Sequence, residues 1–112
     1  MQIKSYLTYS PDTTLRVIPA AYGNLRLALR LVDPDTGEPI ATATVNLPDE
    51  PLAPNEIAVK DYSENEGMTQ TLALGGIIVG KARRYVRSGF VTIGIHALTE
   101  QAEKWLHQDQ SA

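Results

Sequence analysis

The sequence has 112 residues, of which 43% are hydrophobic and 21% charged, an ordinary composition for one soluble globular domain. It contains no cysteine, which excludes disulfides and thiolate metal sites and favours a cytoplasmic location. Its net charge of −3 argues against generic nucleic-acid binding, and no apolar run reaches the ~20 residues that would span a membrane. We therefore expect one domain over residues 1–112, frayed at residues 108–112, which exists as a monomer or a homodimer.

Two strands are expected before residue 22. Alternating apolar and polar residues over residues 2–9 are typical of a strand that ends at Ser10-Pro11-Asp12. Residues 15–18 indicate a second, shorter strand. Pro19 is expected to end it, because proline has no N–H to donate to a central ladder.

Residues 22–47 have the pattern of a complete β-hairpin. Leucines alternate with arginine and alanine along residues 24–32, which fits a strand with one buried face and does not fit one side of a helix. The return strand covers residues 39–47. Opposed residues share a face, so odd positions must pair with odd positions across a five-residue turn, 33–37, that contains a proline and a glycine. The leucine row is predicted to be buried at the centre of the sheet.

A proline-rich loop and a helix are expected next. Three prolines in residues 47–54 predict an extended surface loop, and residues 56–60 restore the alternation of a short strand. Ser63 and Glu66 have the spacing of a capping box, in which each side chain satisfies a free N–H at the helix start. The helix is therefore predicted to begin at Ser63 and to end at Gly75-Gly76.

The remainder of the chain predicts a second hairpin and a second helix. Residues 83–87 and 90–97 are the strands of this hairpin, with Ser88-Gly89 at the turn. Thr99 is expected to cap a helix over residues 100–107. Together the elements predict an α+β fold, a mainly antiparallel sheet of about five strands built on the central hairpin, with two short helices.

Charge is distributed unevenly in the second half of the chain. The acidic segment, residues 49–66, contains six acids and one base, whereas the basic segment, residues 81–87, contains four bases and no acid. Both patterns fit solvated faces and both fit binding surfaces, where cations beside an aromatic ring can hold phosphates and a stacked base. The candidates for binding a protein partner are Asp49, Glu50, Asp61, Glu64 and Glu66. The candidates for binding single-stranded nucleic acid are Arg26, Arg30, Arg83, Tyr85 and Arg87.

No pattern in the sequence indicates catalysis. His96 and His107 lie in different predicted elements and lack the spacing of metal ligands, and His96 is expected to be a hydrogen-bonded core or edge residue. A nucleophile elbow, a phosphate-binding loop and a dinucleotide fingerprint are missing. We therefore predict a protein that is not an enzyme, with no catalytic residue, no metal and no cofactor.

Five short stretches of the chain form a recognisable set. They are residues 22–29, Gly37-Glu38-Pro39, Thr44-Val45-Asn46-Leu47, the acidic residues 61–65 and Ser88-Gly89-Phe90. This set, spread over roughly residues 22–95, resembles a family of small uncharacterised proteins carried by plasmids, conjugative elements and phages. The resemblance implies an accessory protein of a mobile genetic element that binds a protein partner, such as a host defence or regulatory protein. Binding of single-stranded nucleic acid through the basic segment is the alternative.

Overall fold

The computed structural model describes the backbone of residues 1–110 and the side chains of residues 1–108. Within this part, the chain forms seven strands and two α-helices. They are, in order, β1 (Gln2–Leu7), β2 (Ser10–Ala21), β3 (Leu27–Val32), β4 (Pro39–Thr42), β5 (Glu56–Val59), α1 (Met68–Leu74), β6 (Arg84–Ser88), β7 (Val91–Ala97) and α2 (Glu100–Gln110). The expected fraying of residues 108–112 falls largely outside the described residues.

The strands form two antiparallel sheets. The first sheet has the order β1-β2-β3-β4 and the second sheet has the order β5-β7-β6. The predicted α+β class, with antiparallel pairing and two helices, is confirmed. The prediction of one sheet of about five strands is wrong, because the return strand of the central hairpin changes sheet partway along its length.

The change of sheet occurs at Ala43. Its N–H donates to the C=O of Leu29 in β3 at 2.8 Å, and its own C=O accepts from the N–H of Lys60, just after β5, at 2.9 Å. Thr44 then forms a bridge with Val59 of β5. The predicted return strand is therefore divided between the two sheets.

The turn of the central hairpin also differs from the prediction. Leu31 pairs with Ala41, so odd positions do face odd positions, but Val32 pairs with Pro39 and the residue between the two partners is bulged. The loop is one residue longer than predicted, because Asp33 closes the turn with its backbone and accepts two N–H groups of the turn on its carboxylate.

The leucine row is buried only within β3. Leu29 and Leu31 are fully buried, and Leu27 is half-buried. Leu25 is 87% exposed, so the prediction of burial is wrong there. Its N–H closes a tight turn onto the C=O of Tyr22 at 2.9 Å, and its φ of 68° is a left-handed conformation that ends the alternation of a strand.

β2 continues through Pro19, where the sequence predicted an end. Pro19 pairs with Leu29 of β3. The N–H of Val17 donates towards β1, to the C=O of Met1, and Pro19 faces the same side because it lies two residues further along the strand. The pairing of β2 with β1 ends before Pro19, so the missing N–H of the proline interrupts no ladder.

The helix predicted at Ser63 begins later. Ser63–Asn65 form a single 3₁₀ turn, and α1 starts after Gly67. The predicted capping box is wrong, because Ser63 has a φ of 53° and its side chain makes no capping bond. Asp61 is the cap instead: its two carboxylate oxygens accept the N–H groups of Gly67 and Thr69 at 3.0 and 2.9 Å.

The remaining elements lie close to their predicted positions. α1 ends at Gly75-Gly76, and Thr99 caps α2 by accepting an N–H from its first turn at 3.0 Å. In the second hairpin Ser88 pairs with Val91, so the turn consists of Gly89-Phe90. Phe90 was predicted to be a strand residue, but it lies at the tip of the hairpin because the turn is displaced by one residue.

Two apolar clusters stabilise the fold. The main core lies between the inner face of the first sheet, β5, α1 and α2. A second cluster consists of Ala58, Ile93 and Ile95 on one face of the second sheet, and Leu47 and Leu52 of the proline-rich loop pack against it. The loop over residues 47–54 therefore covers this face of the second sheet.

Replacing Leu29 by alanine should lower the free energy of unfolding by about 2–5 kcal/mol, because the fully buried side chain leaves a cavity. Leu25→Ala is the matched control, and its expected effect is below about 0.5 kcal/mol because Leu25 is exposed. Urea unfolding followed by circular dichroism measures both values. Equal losses for the two variants would contradict this division of the leucine row.

Candidate interaction site

The proline-rich loop is held by two arginines from distant parts of the chain. Arg26, which precedes β3, donates to the C=O groups of Leu47 and Glu50, the latter at 2.5 Å. Arg84 of β6 donates to the C=O of Pro51. The C=O of Leu47 also accepts the N–H of Glu50 at 3.0 Å, whereas the C=O groups of Glu50 and Pro51 receive their donors from the two arginine side chains. The two guanidinium groups fix the loop over the second sheet.

The acidic and basic segments meet at this loop. Arg84 lies 3.3 Å from the carboxylate of Glu50 and 3.5 Å from that of Glu56, and Arg83 lies 3.1 Å from Glu56. Arg83 and Arg84 both lie opposite Ile95 of β7, as in a β-bulge, where two successive residues oppose a single residue of the neighbouring strand. Both side chains can therefore reach Glu56. Two acids of the acidic segment, Glu50 and Glu56, are therefore paired with two bases of the basic segment, Arg83 and Arg84.

Glu56 is the centre of this network. Its side chain is only 7% exposed, and its carboxylate also accepts the N–H of Ala53 at 2.8 Å. The Ala53 amide, followed by Arg83 and Arg84, holds the pKa of Glu56 below its ordinary value, although burial opposes the shift. The ionised carboxylate joins the loop to the basic segment.

The other acids predicted to bind a protein have different environments. Asp61 caps α1, and Glu64 lies 2.7 Å from Lys60. This ion pair lowers the pKa of Glu64 and raises the pKa of Lys60. Among the side chains of residues 1–108, Asp49 and Glu66 are exposed and form no ion pair. The acids of this segment therefore do not form one surface that is free to bind a partner.

The five residues predicted to bind nucleic acid do not form one surface. Arg26 contacts the loop and Arg83 contacts Glu56. Arg30 projects from the outer face of the first sheet, whereas Tyr85 and Arg87 are exposed on the second sheet. The structure brings only Tyr85 and Arg87 together on one face.

The two histidines have different environments. His96 is buried, and its Nδ1 lies 2.9 Å from the C=O of Val79, which confirms the expectation of a hydrogen-bonded core residue. Gly94 makes room for the ring, since a Cβ at that position would lie 2.7 Å from Nε2 of His96. His107 is exposed on α2, and the described residues include no group of three acids or histidines placed to hold a metal ion.

A cleft of about 380 Å³ lies between the β2–β3 turn, the proline-rich loop and α2. Apolar walls that include Leu27, Val45 and Ile57 give it the size and character of a small-ligand cleft. Of its polar lining residues, Arg26 and Glu56 are already bound within the protein, and the others are Tyr22, Asn46, Glu103 and His107. Sequence reasoning missed the cleft because its walls come from segments far apart in the chain.

Strand β6 forms an uncovered edge of the second sheet. The C=O of Ile95 in β7 accepts the N–H of Arg83, which directly precedes β6. Val86 and the other even-numbered residues of β6 therefore direct their backbone N–H and C=O groups towards β7. Tyr85 and Arg87 direct theirs outwards, where no other backbone of the described chain bonds to them. The edge of β1 differs, because Tyr6 donates its N–H to the hydroxyl of Thr71 in α1.

Exposed aromatic and basic side chains accompany this edge. Tyr85 is 70% exposed, and Phe90 at the hairpin tip is fully exposed. Lys81 and Arg87 are exposed and form no ion pair within residues 1–108. We call residues 81–90 the β6 edge site, and it is the clearest candidate for contact with another molecule.

Comparison of the chain with protein-family models, with curated proteins and with solved structures finds no match. The resemblance to proteins of mobile elements therefore stays a prediction. Neither helix in the described part of the chain has the length and apolar character to cross a membrane.

Replacing Glu56 by glutamine should lower the free energy of unfolding at about pH 7 by about 1–3 kcal/mol, because a charged acceptor shared by several donors is lost. The pKa of Glu56 is lowered by folding, so its contribution is present above the unfolded pKa and is lost as the pH falls through the folded value. Urea unfolding between about pH 7 and about pH 3 should therefore show a smaller loss in acid for Glu56→Gln than for the wild type.

Glu66→Gln is the control for this experiment, because Glu66 is exposed and unpaired among the described side chains. Its stability should follow that of the wild type at each pH. If the curve of Glu56→Gln ran parallel to that of the wild type, the network would not have the role assigned to it.

Proposed function

We propose that the protein is a non-enzymatic accessory protein of a mobile genetic element and that it binds a protein partner through the β6 edge site. The observation that carries the proposal is the uncovered edge of β6 beside two exposed aromatic side chains, Tyr85 and Phe90. An extended segment of a partner adds to such an edge through main-chain hydrogen bonds. The resemblance supports the link to mobile elements and favours a host defence protein as the partner.

The acidic segment supports partner binding less well than its sequence suggested. Glu50 pairs with Arg84, Asp61 caps α1 and Glu64 pairs with Lys60. Isolated exposed carboxylates contribute little to binding. The partner-binding residues are therefore better sought on β6.

Charge favours an acidic segment as the occupant of the β6 edge. Residues 81–90 contain four bases and no acid, and two of these bases, Lys81 and Arg87, are unpaired among the described side chains. Backbone bonds to Tyr85 and Arg87 would place the side chains of an added strand beside these cations. A second copy of β6 would instead bring like charges together, so charge opposes a homodimer through this edge.

Selection of random displayed peptides on the immobilised full-length protein tests this function. Enriched peptides should carry net negative charge and should have β-branched or aromatic residues at alternate positions. Arg87→Pro removes an outward N–H and leaves the ladder to β7 intact. It should weaken binding of an enriched peptide at least about 10-fold, the effect of one lost hydrogen bond, in a fluorescence-anisotropy titration.

Arg87→Gln is the matched control, because it removes the same charge and keeps the N–H. Its expected loss of affinity is only about 2–3-fold. Circular dichroism checks that both variants are folded. Equal losses for the two variants, or enrichment of peptides without negative charge, would reject addition of an acidic strand to β6.

A further inference from the structure

The outer face of the first sheet is open and carries cations. Odd positions of its strands, such as Ile3, Val17 and Leu31, are buried in the main core, so the even positions face away from it. The exposed side chains at these even positions include Gln2, Lys4, Thr14, Arg16, Arg30 and Thr42. The exposed side chains of this face are therefore mostly polar, and its charged side chains within the strands are basic except for Asp12 of β2, which lies beside Lys4. The apolar residues Ile18, Ala28 and Val32 also lie at even positions, but they are not exposed.

Lys4, Arg16 and Arg30 form a straight row across three strands. Arg16 lies opposite Gln2, two residues before Lys4, and Arg30 lies opposite Ile18, two residues after Arg16. From Lys4 to Arg16, and again from Arg16 to Arg30, the position changes by one strand across the sheet and by two residues along the strands, in the same direction both times. Neighbouring positions in the row are therefore separated by about 8 Å.

The charges of this row are largely free. Arg16 and Arg30 are exposed and form no ion pair within the described residues. Lys4 lies 3.6 Å from Asp12, and both side chains are more than half exposed, so this pair is weak. Neighbouring unpaired cations repel each other, and a bound polyanion would relieve this repulsion.

An aromatic ring lies at one end of the row. Tyr6 faces the same side of β1 as Lys4, whose Nζ lies 5.4 Å from the centre of the ring. Proteins hold single-stranded nucleic acids with cations that follow the phosphates and with rings on which bases stack. We propose that this face binds single-stranded nucleic acid, with Lys4, Arg16 and Arg30 contacting phosphates and Tyr6 contacting a base.

This site is distinct from the one that the sequence predicted and from the β6 edge site. It shares only Arg30 with the predicted set of five residues. An evenly spaced, linear row matches the regular charges of a phosphate backbone better than the irregular carboxylates of an acidic protein surface. Its failure would leave the proposed protein-binding function unaffected, because the two sites use different sheets.

A titration of fluorescein-labelled oligothymidylate with the full-length protein tests the proposal. Three phosphate contacts predict that the affinity, measured by anisotropy, falls about 40-fold between about 25 and about 150 mM NaCl. The double variant Arg16→Gln/Arg30→Gln keeps one contact, so it should bind more weakly at low salt and lose only about 4-fold over the same range. Tyr6→Leu should weaken binding at both salt concentrations without changing the salt dependence.

Two further variants separate this row from general charge effects. Asp12→Asn frees Lys4 from its ion pair and should strengthen binding. Lys104→Gln removes an exposed lysine on α2, outside the row, and should bind as the wild type does. Circular dichroism checks that every variant is folded.

Three results would overturn the proposal. The first is no binding at low salt, and the second is an equal loss of affinity for Lys104→Gln and for the double variant Arg16→Gln/Arg30→Gln. The third is displacement of the labelled strand by polyglutamate as effectively as by unlabelled oligothymidylate. That outcome would assign the face to acidic proteins instead of nucleic acid.

Discussion

The crossing of the chain from one sheet to the other at Ala43 constrains the rest of the structure. The N–H of Ala43 belongs to the ladder of the first sheet, and its C=O belongs to the second sheet. Its side chain is fully buried between them. The second sheet therefore turns Ile57 and Val59 towards the main core and leaves Ala58, Ile93 and Ile95 on a face that needs its own cover. The proline-rich loop provides this cover.

The ion pairs around the proline-rich loop follow from the need to cover this face of the second sheet. A loop that covers apolar residues without forming a strand still has carbonyl groups to satisfy, and Arg26 and Arg84 supply the donors. Glu50 and Glu56 then compensate the charge that the basic segment brings to the loop. Charges that looked available for partners thus stabilise the protein itself, and the functional proposals depend on the cations that remain unpaired.

Local patterns were sufficient to predict the class of the fold, the burial of Leu29 and the cap at Thr99, because each depends on residues a few positions apart. Three features could not be predicted in this way. The capping carboxylate of Asp61 acts on amides six and eight residues away, and it displaced a plausible capping box. The hairpin arm changed sheet without any change in its alternation. Arg84 meets Glu50 across 34 positions, a contact that a single sequence does not encode locally.

Native-state hydrogen exchange at the amides of Ala43, Val45 and Lys60 tests most directly whether the crossing makes the two sheets one cooperative unit. All three amides donate hydrogen bonds at the crossing. They should exchange with the same free energy as the amides of Leu31 and Ile95, close to that of global unfolding. Much faster exchange at the crossing, or opening of the second sheet at a clearly lower free energy than the first, would contradict this central claim.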